Sequence, residues 1–361
     1  MARSSPSWSG LRAGCSGPVL KTRHNLLLLF LCSLLWYGAA GPSRTASATE
    51  PQFVTIALGT AGGLTEANLT SYLLAPFGTS DFVALDAGTL LTGLEHANRK
   101  GSFTKIPIPP DSPLTVEGYI LTQCIKAYLL SHAHLDHVAG LVLNSPDDTK
   151  KDILGLPVTL DTLRDYLFNG KLWPNFADEG SGVQLKKYHF VRLQLDKEQP
   201  IAETQLTVRP FELCHAGGPS TAFLLHAHDA YALYLGDTGP DEAEQCDKLQ
   251  QVWQAIAPLV QQRKLRGMFL EISYPDPRER NRLYGHLTPR WLMTELQRLA
   301  TLVDTQRPIE ALRGLTVIVT HIKPTLQRGP AVREQVMHQV RELNTLGVRF
   351  VFPEQGDQVE F

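Results

Sequence analysis

Ser131-His132-Ala133-His134-Leu135-Asp136-His137, directly after the apolar run Ile125 to Leu130, is the stretch that decides the fold. Three imidazoles and a carboxylate within six residues at a strand end are not core filler, because buried polar groups without partners are costly. Neutral imidazole and carboxylate are the usual ligands of zinc and similar ions. In extended chain, residues two apart point the same way, so His132 and His134 can grip one ion together. Asp136 and His137 then point elsewhere, which invites a second metal nearby. Further ligands of the same kind stand at the ends of other apolar strands, each beside a turn. His215 follows Thr207 to Phe211 and opens Ala216-Gly217-Gly218-Pro219, Asp237 sits in Leu235-Gly236-Asp237-Thr238, and His321 ends Leu315 to Thr320. In an α/β sheet, that edge is where sites are built.

Working outward, short runs rich in β-branched and aromatic residues alternate with helical patterns from Gln52 onward, which predicts one α/β domain over residues 49–361. Strands are expected at Phe53 to Leu58, Ser71 to Ala75, Phe82 to Leu85, Ala127 to Leu130, Val158 to Leu160, Phe190 to Leu195 and Thr207 to Phe211. Ala222 to Ala227 and Tyr231 to Leu235 read as a hairpin, and later strands as Met268 to Ser273, Leu315 to Thr320 and Val348 to Val351. Helices are expected at Thr162 to Phe168, Asp241 to Leu259, Pro289 to Leu299 and Val332 to Leu343. Lys100 to Ser112 and Phe168 to Ser181 read as surface loops that could shape a pocket.

The N-terminus is a separate matter. Residues 1–24 hold Arg3, Arg12, Lys21 and Arg23 with no acid and lead into the apolar run Leu26 to Ala40, the pattern of a signal peptide over residues 1–48. Small residues place cleavage after Ala40 or Ala48, and an uncleaved signal anchor is the alternative. The protein is therefore expected to be exported, periplasmic or secreted, without stable membrane association after cleavage. The chain carries 34 Lys+Arg against 36 Asp+Glu; removing the leader takes five Lys/Arg and no acid, which leaves 29 against 36 and a net −7. That charge argues against a nucleic-acid partner. Cys124, Cys214 and Cys246 remain, with no C-x-x-C pair, so a disulfide scaffold and a thiolate zinc site are both excluded on this reading. Cys214 reads as a small buried residue behind the site.

The string His132 to Pro146, HAHLDHVAGLVLNSP, resembles the signature of class II cyclic-nucleotide phosphodiesterases, a branch of the metallo-β-lactamase superfamily. H-x-H-x-D-H alone identifies the superfamily, and the continuation from Gly140 to Pro146 is the restrictive part. The resemblance extends to Leu58 to Gly63 with Asn68 and Tyr72 to Leu74, to His215, to Gly236-Asp237-Thr238, to Gly285 to Pro289 and to Thr320-His321. It implies an αββα sandwich with two divalent ions, zinc by expectation, at one edge. It further implies that His132, His134 and His215 hold the first ion, Asp136, His137 and His321 the second, and that Asp237 bridges them.

Such a pair suits phosphodiester hydrolysis: a bridging water with lowered pKa attacks in line while the metals clamp a phosphoryl oxygen. The activity implied is hydrolysis of the small-molecule substrates 3′,5′-cyclic AMP and cyclic GMP to nucleoside 5′-monophosphates by the bridging hydroxide. The alternative is another exported dizinc hydrolase, a ribonuclease Z-like phosphodiesterase or a lactonase. His286 is the candidate general acid for the departing 3′ oxygen, with Glu271 orienting its ring; a helix-entry histidine with a structural hydrogen bond is the competing reading. Backbone N–H groups of Gly59 to Gly63 could approach phosphate, or the loop could be a plain tight turn. His96, His189, His226, His228 and His338 read as solvated or turn histidines, and Asn68-Leu69-Thr70 is assigned no function.

Overall fold

A computed structural model describes residues 50–361, so the leader reading lies outside the described residues. Among the described residues fourteen strands are formed: β1 (Phe53–Gly59), β2 (Ser71–Pro76), β3 (Phe82–Leu85), β4 (Ile125–Leu129), β5 (Lys151–Gly155), β6 (Tyr188–Arg192), β7 (Gln199–Pro200), β8 (Thr207–His215), β9 (Gly218–Ala227), β10 (Ala230–Leu235), β11 (Leu265–Glu271), β12 (Thr316–Thr320), β13 (Arg349–Val351) and β14 (Gln358–Glu360). They make two seven-stranded sheets, ordered β14-β1-β2-β3-β4-β5-β6 and β13-β12-β11-β10-β9-β8-β7. In each, an antiparallel half passes into parallel strands, β3 to β6 in one and β10 to β13 in the other.

Both faces of the central strands are covered, which explains why they read as continuous apolar runs rather than alternating ones. In β1, Phe53 and Ala57 pack between the sheets while Ile56 and Leu58 pack outward among helix residues such as Leu94 and Val138. In β10, Ala232 and Tyr234 face the other sheet, and Leu233 and Leu235 meet Trp253, Leu292 and Leu296 of the outer helices. Tyr72 and Phe269 touch edge to face across the interior at 5.3 Å. The result is the four-layered α/β arrangement expected, helix–sheet–sheet–helix.

Several expected elements differ. Val158 to Leu160, read as a strand, lies in the helix Pro157–Thr162, because Pro157 takes the first-turn position and a three-residue apolar run carries no period of its own. The strand precedes it at Lys151–Gly155, where buried Lys151 is paired with Asp148 and so disguises an interior element as a polar one. The helix expected over Asp241 to Leu259 is two, Asp241–Glu244 and Lys248–Gln261. Gln245 turns left-handed (φ 57°), and the Asp241 carboxylate accepts from the N–H groups of Leu249 and Gln250. Cys214, read as a small buried residue behind the site in a chain without a disulfide scaffold, forms a disulfide with Cys246, and Cys124 remains free and buried. An odd number of thiols limited the bridge count without forbidding one bridge. Helix Val332–Leu343 matches its expected bounds.

Candidate metal centre

The C-terminal ends of β4, β10, β11 and β12 and the end of β8 converge on one edge, and each delivers a polar side chain there. After β4 the chain stays extended through His134 (ψ 148°), then enters the helix Leu135–Asn144, so Asp136 and His137 arise from a helical first turn. That switch from extended to helical backbone is what aims the four motif residues in different directions.

His132, His134 and His215 converge as one group with ligand atoms within 4.8 Å of one another; Asp136, His137 and His321 form a second. Asp237 reaches both: its Oδ2 lies 3.3 Å from His137 Nε2, 3.2 Å from His321 Nε2, 3.9 Å from His132 Nε2 and 3.8 Å from His215 Nε2. All seven residues expected as ligands thus stand together, and all but His134 and Asp136 are buried.

The outward nitrogens of the buried imidazoles are already engaged. His132 Nδ1 meets Ser131 Oγ (3.0 Å), His137 Nδ1 meets Asp86 Oδ2 (2.8 Å), His215 Nδ1 donates to the Gly285 carbonyl (2.8 Å) and His321 Nδ1 meets Ser273 Oγ (2.9 Å). Ser131 Oγ donates to Asp86 and Ser273 Oγ donates to Glu271, so those hydroxyls accept from the rings. This network assigns the proton to Nδ1 in each case and turns the Nε2 lone pair inward, the arrangement by which proteins orient imidazole toward a metal.

Three observations fit a cation here. His137 Nε2 is fully buried and has no hydrogen-bond partner among the described residues. Ligand atoms about 2.0–2.1 Å from a tetrahedral ion lie about 3.3 Å from each other, and the inward atoms are spaced at 3.0 Å (His132 Nε2 to His134 Nδ1), 3.2 Å (His321 Nε2 to Asp136 Oδ2) and 3.3 Å. Finally, the electrostatics favour positive charge. On His137, the burial that opposes charge is outweighed by Asp237 and Asp86, which hold its pKa well above the usual imidazole range. For Asp237, burial is likewise outweighed by His321 and His137, and its carboxyl is held well below the usual range. Burial pushes His132 well down and His215 down to about 4, which keeps both rings neutral and ready to ligate.

His286 and Glu271 join the cluster. The His286 ring is 4.8 Å from that of His215 and 5.2 Å from that of His321, and its Nδ1 shares a 2.7 Å hydrogen bond with Glu271 Oε1. Glu271, at the end of β11, also accepts from the Thr238 N–H (3.2 Å). Burial and the nearby Asp237 push its carboxyl up to about 7, and burial pushes His286 down to about 4.

The Gly59 to Gly63 loop supports two of the candidate ligands, Asp136 and His321, directly. Gly63 N–H donates to Asp136 Oδ2 (2.9 Å), and a Cβ at Gly62 would fall 2.3–2.6 Å from three ring atoms of His321. Asn68 closes the loop by accepting from the Thr60 N–H (2.9 Å). Of the histidines read as solvated or turn residues, His189 and His338 pair with Asp178 and Glu342 at the surface, and His226 bonds the His228 carbonyl at the hairpin.

The sequence reading missed Asp86 and Ser273. Asp86 is fully buried yet accepts from Ser131 N–H, Ser131 Oγ, His137 and Tyr234, which ties β3, the motif and the opposite sheet together. Like Asp237 and His321 it stands just past an apolar strand, here Phe82 to Leu85, but nothing near it in the sequence marks its partners. Cys214 sits beside His215, and its disulfide to Cys246 fastens the end of β8 to the segment following Asp237.

Two sheets between helix layers, with a His/Asp cluster at one edge, define the metallo-β-lactamase fold. A metallo-β-lactamase fold protein from Bacillus subtilis, YhfI, shares it at a TM-score of 0.55, with 14% sequence identity over 86% of this chain and 100% of that one. Closer in sequence is the structure of unliganded yeast PDE1, with TM-score 0.74 and 26% identity over 86% of this chain and 100% of that chain. The family model for class-II cAMP phosphodiesterases matches residues 48–356. A 3′,5′-cyclic-nucleotide phosphodiesterase of Aliivibrio fischeri is 41% identical over 341 residues, 94% of this chain and 99% of that protein. The chain belongs to the class-II cAMP phosphodiesterases and is a 3′,5′-cyclic-nucleotide phosphodiesterase by enzyme class.

Proposed function

We propose that the protein hydrolyses 3′,5′-cyclic AMP and cyclic GMP to nucleoside 5′-monophosphates at a pair of divalent ions, zinc by preference. The observation that carries this reading is the convergence of two ligand groups on one Asp237 oxygen, with the outward nitrogens of four imidazoles held by hydrogen bonds. His132, His134 and His215 would hold one ion and Asp136, His137 and His321 the other, with Asp237 between them. Bound there, divalent ions act as Lewis acids on the phosphoryl oxygens and lower the pKa of water enough to supply a nucleophile at neutral pH.

The chain's own groups do the rest. His286, beside the cluster and outside both ligand sets, passes a proton to the departing 3′ oxygen. Glu271, bonded to Nδ1, holds the ring in place and can return a proton through it. The depth of the cluster limits competing water, which strengthens every charge interaction within it.

We also propose that residues 1–48 are an export leader and that residues 49–361 act outside the cytoplasm. The cationic, then apolar, leader supports this, as does the Cys214–Cys246 disulfide, which suits an oxidising compartment. Among the described residues no helix is long and apolar enough to cross a membrane.

The test is product analysis of cyclic AMP turnover by the chain from Thr49, before chelation, after chelation and after zinc is restored. Conversion to 5′-AMP that is lost and regained supports the reading. Turnover indifferent to chelator contradicts the metal reading, and an inert zinc-loaded protein contradicts the substrate.

A further inference from the structure

The segment Tyr274 to Gly285 leaves the centre at Ser273 and returns to it at His286. Both ends are fastened to ligands, since Ser273 Oγ holds His321 and the Gly285 carbonyl holds His215. Its far side is pinned as well. Asp276 exchanges two hydrogen bonds with the Gln339 amide (2.9 and 2.7 Å), and its carboxylate accepts from the Arg290 N–H (2.8 Å) at the start of helix Pro289–Val303. Arg280 pairs with Glu242 (3.2 Å). The segment is therefore a braced wall beside the metal centre.

Planar groups line that wall. The half-buried Tyr274 ring stands edge-on to the His286 ring, 5.7 Å away at 80°. The Arg278 guanidinium lies over the Tyr274 ring at 3.4 Å and is 5.7 Å from the Tyr284 ring. Arg278 makes no ion pair with an acid among the described residues; Nε donates to the Arg282 carbonyl, and its terminal amines have no hydrogen-bond partner. Tyr284 is 61% exposed, and among the Phe, Tyr and Trp side chains of the described residues only Tyr166 and Phe77 are exposed besides; its backbone is left-handed at φ 52°, a strained position for a bulky residue. An exposed ring on a left-handed backbone and, beside it, a guanidinium stacked on one face leave a planar surface and hydrogen-bond donors open to a ligand.

We propose that this wall is the nucleobase site of the enzyme, with Tyr284 stacking on the purine and Arg278 donating to its edge. The inference rests on the cyclic-nucleotide reading above and adds to it the residues that set base preference. Stacking is indifferent to base identity, because both purines have a π face. Arg278 is not indifferent. Guanine presents two adjacent acceptors, N7 and O6, that match a guanidinium fork, whereas adenine offers N7 beside an amino donor. Arg278 thus favours cyclic GMP.

The test is steady-state kinetics of the zinc-loaded protein with cyclic AMP, cyclic GMP and ribose 3′,5′-cyclic phosphate, which carries the reacting ring without a base. Tyr284→Asn removes the ring while tolerating the left-handed backbone, Tyr284→Phe restores the ring, and Arg278→Met keeps the stem without the donors. Tyr284→Asn should raise KM for both nucleotides by roughly 5- to 100-fold, the range for losing one base-stacking aromatic, with kcat little changed and Tyr284→Phe near wild type. Arg278→Met should raise KM for cyclic GMP about tenfold more than for cyclic AMP, the size of one lost bidentate base contact. Neither variant should alter turnover of the baseless substrate. Unchanged KM for both nucleotides in both variants overturns the inference. Equal losses on all three substrates also overturn it, because they place these residues on the phosphate or the metals. A wild-type enzyme inert toward both nucleotides but active on the baseless phosphate refutes the substrate reading itself, a result separate from either.

Discussion

Replacing Asp86 by Asn tests whether residues that never touch a metal prepare the centre for one. The buried carboxylate accepts from Ser131 N–H (2.7 Å) at one oxygen, and from Ser131 Oγ (2.7 Å), Tyr234 Oη (2.6 Å) and His137 Nδ1 (2.8 Å) at the other. The amide oxygen of Asn must face the Ser131 N–H, which cannot turn. Its NH2 then faces two hydroxyls, which can rotate to accept, and an imidazole nitrogen, which can accept only by giving up its proton. His137 would shift that proton to Nε2, the atom aimed at Asp237, and would cease to be a ligand in its resting tautomer. Losing an outer-shell partner of this kind costs roughly 10- to 100-fold in metal affinity. The metal-free fold should lose about 1–3 kcal/mol, since charge-assisted bonds become neutral ones while a buried charge is also removed. Competition against a zinc-buffering chelator gives the affinity, and urea unfolding of the stripped protein gives the stability. An Asn variant that folds and keeps wild-type zinc affinity would refute the reasoning.

Other predictions concern the neighbouring shell. Gly62→Ala places a methyl within 2.3–2.6 Å of the His321 ring; kcat/KM should fall at least tenfold with little change in the far-ultraviolet spectrum, and an active variant would show that His321 can be displaced harmlessly. In the metal-free protein, burial and Asp237 raise Glu271 to about 7, so the folded state keeps a proton that the unfolded chain releases from about pH 4.5. That stabilisation is complete below about pH 4.5 and is lost as pH rises through 7. The stripped wild type should therefore lose stability relative to Glu271→Gln, which carries no such titration, as pH rises from 5 to 8, and a difference in unfolding midpoint that stays constant or moves in the wild type's favour is the contrary result. Cys214→Ser with Cys246→Ser opens a loop of sequence separation 32, for which chain entropy predicts a loss of about 3–4 kcal/mol; thermal unfolding in the absence of reductant checks it, and an unshifted midpoint would mean the bridge does not constrain the chain.

The sequence was legible where one residue's chemistry leaves few options. His132, His134, Asp136 and His137 stand in a row that no core tolerates, and His215, Asp237 and His321 each end an apolar strand, so the candidate ligands could be collected before any fold was known. The inner strands were legible for a related reason: buried on both faces, Phe82–Leu85 and Ala230–Leu235 carry long apolar runs. Legibility failed where a distant partner changes a residue's meaning. Lys151 reads as surface until Asp148 is seen beneath it, Asp241 reads as helix interior until it caps the next helix, and the pairing of Cys214 with Cys246 depends on how β8 lies against the segment after β10. Asp86 was overlooked because a lone aspartate at a strand end has no partner in the sequence; its four hydrogen-bonding groups come from positions 45 to 148 residues away.

The central claim, that two ions share Asp237 and together perform the hydrolysis, is tested most directly by zinc content per chain measured alongside cyclic AMP turnover, for the wild type and for Asp237→Ala. Two zinc ions per wild-type chain, with activity rising only as the second is filled and lost together with zinc in the variant, is the predicted result. Full activity at one zinc or none, or an Asp237→Ala protein that retains both metal and turnover, would contradict it.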